Sequence, residues 1–269
     1  MRFKSRSYYN LLEKFKIKKV SKKVKKNHED MGIYNPYRIN WGFLPEPVLL
    51  IKDYTRKSIV DLFMLSASDK FTRPFIIKIV QKNVKKPIMK AKKLFIHIPK
   101  NAGTSVSKVI YGRNLPHFTM EFYQKISPDV VNSVESFSVI RNPVDRFLSA
   151  CKFILSGKTD VMLVDRWTMH KFRSCATPKD FLDRLSRDPD LIGTCLPFHK
   201  QSSYVNVDEK IAVDFLFSIE SKKYNDLESY LGCKLPILNK TNIDFEISKK
   251  EITIIENIYA DDFEIFERL

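Results

Sequence analysis

Residues 94–106 read "LFIHIPKNAGTSV". The apolar run Leu94–Ile98 is too short for a globular helix and stops at Pro99, so it reads as a buried strand. The chain then turns small and polar, with Lys100 and Asn101 before Gly103, Thr104 and Ser105, and continues into "SVSKVIYG", which has helical spacing. Only seven glycines occur in 269 residues, and one stands here. A strand that feeds a turn rich in backbone N–H groups and then a helix is a common way to hold an anion.

Two similar runs follow, "SFSVI" at 136–140 and "DFLFSI" at 214–219. Helix signals lie between and after them. Ser127-Pro128 and Thr177-Pro178 place an N-cap residue before proline, Gly232 ends a run from Ser221 to Leu231, and Ser248 with Glu251 fits a capping box. Strands alternating with helices predict an α/β fold with a parallel sheet flanked by helices. Ligands gather at the carboxyl ends of such strands.

Composition divides the chain into three. Residues 1–30 form a basic arm with 11 Lys/Arg against three acids, half of the net charge of +16. Leu11, Leu12, Phe15 and Val20 give the arm weak amphipathic spacing, suited to an anionic membrane surface or to a solvated tail. Residues 31–92 read as an ordered extension, helical in its second half, with no chemistry attached; its end carries six lysines between Lys82 and Lys93. Residues 93–269 carry the patterning described above. Cys151, Cys175, Cys195 and Cys233 lack the close spacing of a zinc site and read as reduced structural thiols. The sequence has no run of 18 apolar residues and no signal-peptide pattern, so the expected location is the cytoplasm, with peripheral membrane contact through the arm.

After the first strand, Lys100 offers a mobile charge, Gly103 lets backbone approach closely, and Thr104 and Ser105 add hydroxyls at the positive end of a helix dipole. These suit phosphate or sulfate oxygens, and an ordinary strand-to-helix turn is the alternative. The loop lacks the Gly-Lys-Ser/Thr ending of a Walker motif, which disfavours magnesium and a nucleoside triphosphate. After the second strand, Arg141 precedes Asn142-Pro143, with Ser149 on the following helix. An arginine there is costly unless it meets an anion or a carboxylate such as Asp145.

"FIHIPKNAGTSV" resembles the 5′-phosphosulfate loop, and "VIRNPVDRFLSA" the 3′-phosphate motif, of carbohydrate sulfotransferases that use 3′-phosphoadenosine 5′-phosphosulfate (PAPS). The likeness is to the branch that includes heparan sulfate 2-O-sulfotransferase. It continues through "PFHKQSSYV", "FSIESKKYNDLESYLG", "LPILNKTN" and "IYADDFEIF", and so covers residues 93–269. It implies a P-loop-like sheet and transfer of a sulfonate from PAPS to a hydroxyl of a carbohydrate or glycan; it leaves residues 1–92 uncovered, and their charge and spacing read as a basic, mostly helical N-terminal extension. No metal and no specific nucleic acid is implied. Lys100 would contact the transferring sulfonate, Asn101, Ala102, Gly103, Thr104 and Ser105 would hold the 5′-phosphate, and Arg141 with Ser149 the 3′-phosphate.

The acceptor must also lose a proton, and a histidine is the natural base. The resemblance places the catalytic histidine at His117, although the second histidine of that branch, two residues earlier, is Leu115 here. His199 is the runner-up, and His199, Gln201 and Tyr204 would line the acceptor cleft or the cofactor edge, with a surface turn as the alternative. His97 reads as core, His28 and His170 as uninvolved, and Glu220 as a structural acid beside a basic residue. The competing functions are a P-loop nucleotide kinase and a non-enzymatic basic binder of polyanions or membrane surfaces.

Overall fold

The computed structural model describes residues 84–156, 168–220, 224–236 and 244–269. The arm 1–30 with His28, and residues 31–83 of the extension, lie outside the described residues, as do 221–223 and 237–243 within two of the stretches quoted above.

A short helix, α1 (Lys86–Ala91), leads into β1 (Lys93–Ile96), α2 (Gly103–Tyr111), α3 (Met120–Ile126) and α4 (Pro128–Val131). Then come β2 (Glu135–Ile140), α5 (Pro143–Leu155), α6 (Pro178–Arg187), α7 (Asp190–Thr194) and α8 (Ser202–Val205). The chain closes with a small hairpin of β3 (Asn206–Val207) and β4 (Lys210–Ile211), then β5 (Phe215–Ser218), α9 (Tyr224–Leu231), α10 (Lys249–Ile258) and α11 (Ala260–Glu267).

The three apolar runs form one parallel sheet in the order β1-β2-β5. Phe95 stands opposite Phe137, and Phe137 opposite Phe215. Parallel strands need long crossovers, and helices supply them and cover both faces. Alternation along the strands divides the apolar side chains accordingly. Leu94, Ile96 and Ile140 join Val84, Ile88, Phe122 and Tyr123 in one core, whereas Phe95, Phe137 and Val139 join Val106 of α2 and Leu227 of α9 in another. Because Val84 and Ile88 share the first core, the packed unit includes residues upstream of 93. A third cluster, with Phe147, Phe172, Phe181, Phe198 and Ile255, lies among α5, α6 and α10.

The capping chemistry explains where helices begin. Thr177 and Ser248 each close a capping box, with Asp180 and Glu251. Asn142 accepts from the N–H groups of Val144 and Asp145, and Pro143 takes the first position of α5. Gly232 adopts a left-handed φ of 69° just past α9. Ser127 differs from expectation: its hydroxyl makes no cap bond, and α4 is a single turn. Its N–H bonds to Tyr123 O and finishes α3, so its backbone (φ −144°, ψ 58°) is not the extended form that aims a hydroxyl at the next turn.

All four cysteines are free thiols, three of them buried, and burial raises Cys151 and brings Cys195 up to about 12. Among the described residues no helix is long and apolar enough to cross a membrane.

Candidate functional site

The carboxyl ends of β1 and β2 lie side by side, so the loops that leave them converge. In the first loop φ is positive at Lys100 (71°) and again at Ala102 (56°), with Asn101 between them outside that region. Alternation of this kind turns successive N–H groups toward one concavity. Non-glycine residues in this region store strain, which clusters at functional sites. Ala102 is the N-cap of α2 and offers no side-chain cap; the Ser105 N–H donates to Ala102 O at 2.9 Å, which leaves the amides of Gly103 and Thr104 to another acceptor. Thr104 is half-buried there and Ser105 is buried.

Gly103 serves a second purpose. A Cβ on it would stand 1.9 Å from Cδ2 and 2.2 Å from Nε2 of His97. His97 is buried just past the end of β1, as its core reading expects, but its ring is wedged between the start of α2 and the ring of His117, whose centroid is 3.9 Å away.

The two imidazoles are fixed by carbonyls. His97 Nδ1 faces Leu115 O at 3.1 Å, and His117 Nδ1 faces His97 O at 2.7 Å. A carbonyl only accepts, so each Nδ1 carries the proton and, in the neutral ring, the lone pair sits on Nε2. Burial, with the Lys100 and Arg146 charges assisting and the His97 carbonyl opposing, brings His117 down to about 4. Burial lowers His97 as well, and the neighbouring His117 adds to that. Both rings are therefore neutral at pH 7.

Lys100 lies close enough to His117 for its charge to act there, and its ammonium rests 4.2 Å from the centroid of Phe153 on α5. Ser149 stands four residues before Phe153, on the same face of that helix. Arg141 Nη1 donates to Lys100 O at 3.3 Å, joining the second loop to the first. Burial lowers the Arg141 pKa, and the charges of Asp145 and Glu220 resist that shift. Glu220, at the end of β5, also meets the Asn142 N–H at 3.5 Å.

The other expected residues face inward. Asn101, Gln201 and Tyr204 are buried, and His199 nearly so. Asn101 Nδ2 donates to Val139 O at 2.7 Å and to Gln201 Oε1 at 2.6 Å. His199 Nε2 donates to Gly193 O at 2.8 Å, and burial brings this ring down to about 4. Lys100, Arg141 and His117 are thus brought together, whereas the side chains of His199, Gln201 and Tyr204 are buried. His170 on its polar stretch is exposed.

Two residues that the sequence reading passed over complete the site. Arg146 is 2% exposed; its Nε donates to Pro99 O at 3.1 Å, and among the described residues its Nη2 has no hydrogen-bond partner. Its charge acts on His117, His199, Tyr204, Tyr259 and Asp262. Asp262, buried on α11, accepts the N–H groups of Gln201 and Ser202 at 2.8 Å each. A signal for Arg146 existed: it occupies an apolar position in the buried spacing of α5, Pro143, Arg146, Phe147, Ala150, Cys151 and Ile154. Among the described residues no group of three or more His, Cys, Asp or Glu could hold a metal ion.

No family model matches the chain, and neither a curated protein nor a solved structure matches it.

Proposed function

We propose that this chain is a PAPS-dependent sulfotransferase that moves a sulfonate to a hydroxyl of a carbohydrate or glycan, on a sheet of P-loop-like type. The observation that carries the reading is the Arg141 bond to Lys100 O. It joins the two cation-bearing strand ends, with the Lys100 charge acting on His117 beside them. The donor set fits such a ligand. The amides of Gly103 and Thr104 and the hydroxyls of Thr104 and Ser105 suit the 5′-phosphate, and Arg141 with Ser149 suits the 3′-phosphate.

When bound, the donor supplies the sulfonate: its bond from sulfur to the phosphate oxygen breaks as sulfur bonds the acceptor oxygen, and adenosine 3′,5′-bisphosphate leaves with the electron pair. Lys100 neutralises charge growing on the oxygen that departs. His117, held by the His97 carbonyl in the tautomer with Nε2 basic, takes the acceptor proton. At about 4 the resting ring is a weak base. An anion against Lys100 offsets one of the charges holding it down, so donor binding raises its basicity. The resemblance would place a second histidine at position 115; that residue is Leu115, and the second imidazole beside His117 comes from His97 instead. The scheme needs no metal. We place the reaction in the cytoplasm, with residues 1–30 as a peripheral contact to an anionic membrane surface.

Thermal stabilisation by adenosine 3′,5′-bisphosphate, compared with ATP plus magnesium and with a DNA oligonucleotide, tests the reading. Stabilisation by the bisphosphate, followed by sulfonate transfer from PAPS to glycan acceptors that Lys100→Ala or His117→Ala abolishes, is expected. A response to ATP with magnesium alone would favour a kinase, and one to DNA alone a polyanion binder.

A further inference from the structure

The carboxamide of Gln201 bridges the two loops. Its Oε1 accepts from Asn101 Nδ2 at 2.6 Å and from the Arg141 N–H at 3.0 Å, while its Nε2 donates to Arg141 O at 2.9 Å. Arg141 presents both a donor and an acceptor, so only one orientation of the amide satisfies them, and in that orientation Asn101 must offer its NH2 group. Asn101 uses its other N–H on Val139 O, at the end of β2. Gln201 is itself anchored through its backbone N–H to Asp262. It is 0% exposed and Asn101 1%, so water cannot replace these bonds when one is broken.

We propose that Gln201 is a positioning residue that fixes the span between the Lys100 loop and Arg141. It would let the chain recognise a ligand phosphorylated at both ends over one phosphorylated at either. The proposal rests on the reading of these loops as the two grips on adenosine 3′,5′-bisphosphate. Once one phosphate is seated, the other binds intramolecularly, and its advantage depends on how well the second grip is held at the matching distance. With the amide gone, each grip keeps its own donors. The second contact must then order its loop at the moment of binding, which spends part of that advantage.

The test is isothermal titration of the full chain with adenosine 3′,5′-bisphosphate, adenosine 5′-monophosphate and adenosine 3′-monophosphate, for wild type and Gln201→Leu. The wild type should prefer the bisphosphate by about 100-fold or more, and Gln201→Leu should narrow that preference by about 10-fold while each monophosphate changes by less than about 3-fold. If Gln201→Leu fails to fold, Gln201→Met keeps the volume and flexibility of the side chain, and the same ratio is read. A residue that only stabilises the fold would weaken all three ligands together, and an unchanged preference overturns the proposal. Failure of the functional reading looks different: the wild type itself would bind none of the three.

Discussion

Gly103→Ala tests the packing beneath the candidate site without any assumption about the ligand. Gly103 does not have a positive φ, so backbone conformation alone would favour alanine at the start of α2 by up to about 1 kcal/mol. The new Cβ would meet the His97 ring at 1.9 Å, deep inside van der Waals contact. That ring is not a loose end. It is buried, its Nδ1 is bonded to Leu115 O, and it packs against His117 at 3.9 Å and Phe95 at 5.6 Å between centroids. An overlap this deep belongs at the upper end of overpacking costs, about 3 kcal/mol, leaving a net loss near 2 kcal/mol after the helix gain. For a unit of this size, that lowers the melting temperature by about 4–8 °C. The assay is thermal and urea denaturation of Gly103→Ala, His97→Ala and the double variant. Removing the ring also removes the clash, so the double variant should be more stable than the sum of the single losses by about 1 kcal/mol or more. A Gly103→Ala protein as stable as wild type, or strictly additive losses, would refute the geometry.

Stability should also fall in acid before the carboxylates titrate. His199 is held neutral, with its folded value about 4, below the ~6.5 of an unfolded histidine, so its contribution is complete above pH 6.5 and is lost as pH falls toward 4. By pH 5 the loss is about 2 kcal/mol for this residue, with His97 and His117 acting in the same direction. Urea midpoints that do not change between pH 7.5 and 5 would contradict this. Asp262→Ala should cost about 3 kcal/mol, because two buried amides lose their acceptor, and chemical denaturation would read it. Arg141→Ala should weaken adenosine 3′,5′-bisphosphate by at least about 10-fold in titration while leaving affinity for adenosine 5′-monophosphate within about 3-fold.

The parts of this fold that were legible in the sequence are those set by neighbours along the chain. The runs at 94–98, 136–140 and 214–219 became β1, β2 and β5 in one parallel sheet because each is short, mainly apolar and bounded by polar or turn residues. Thr177 and Ser248 cap their helices because the acid that answers each lies three residues away. Ser127 fell short because the preceding helix already claims its backbone. Gln201 and Asp262 could not be read this way. Their partners lie 60 to 100 residues distant, and whether an amide faces solvent or bridges two loops is decided only when the chain closes. His97 was half legible: its burial follows from the strand, but its contact with His117 depends on how residues 113–118 return across the end of β1.

Tyr111 is a further case of a side chain standing in for backbone. Its hydroxyl donates to Lys93 O at 2.8 Å and accepts from the Phe95 N–H at 2.9 Å. Among the described residues β1 pairs with β2 alone, and a strand margin with open donors and acceptors invites edge-to-edge association with another molecule. One phenol occupies the Lys93 carbonyl and the Phe95 N–H, so among the described residues these two groups at the margin of the sheet are engaged by a helix residue rather than by a strand.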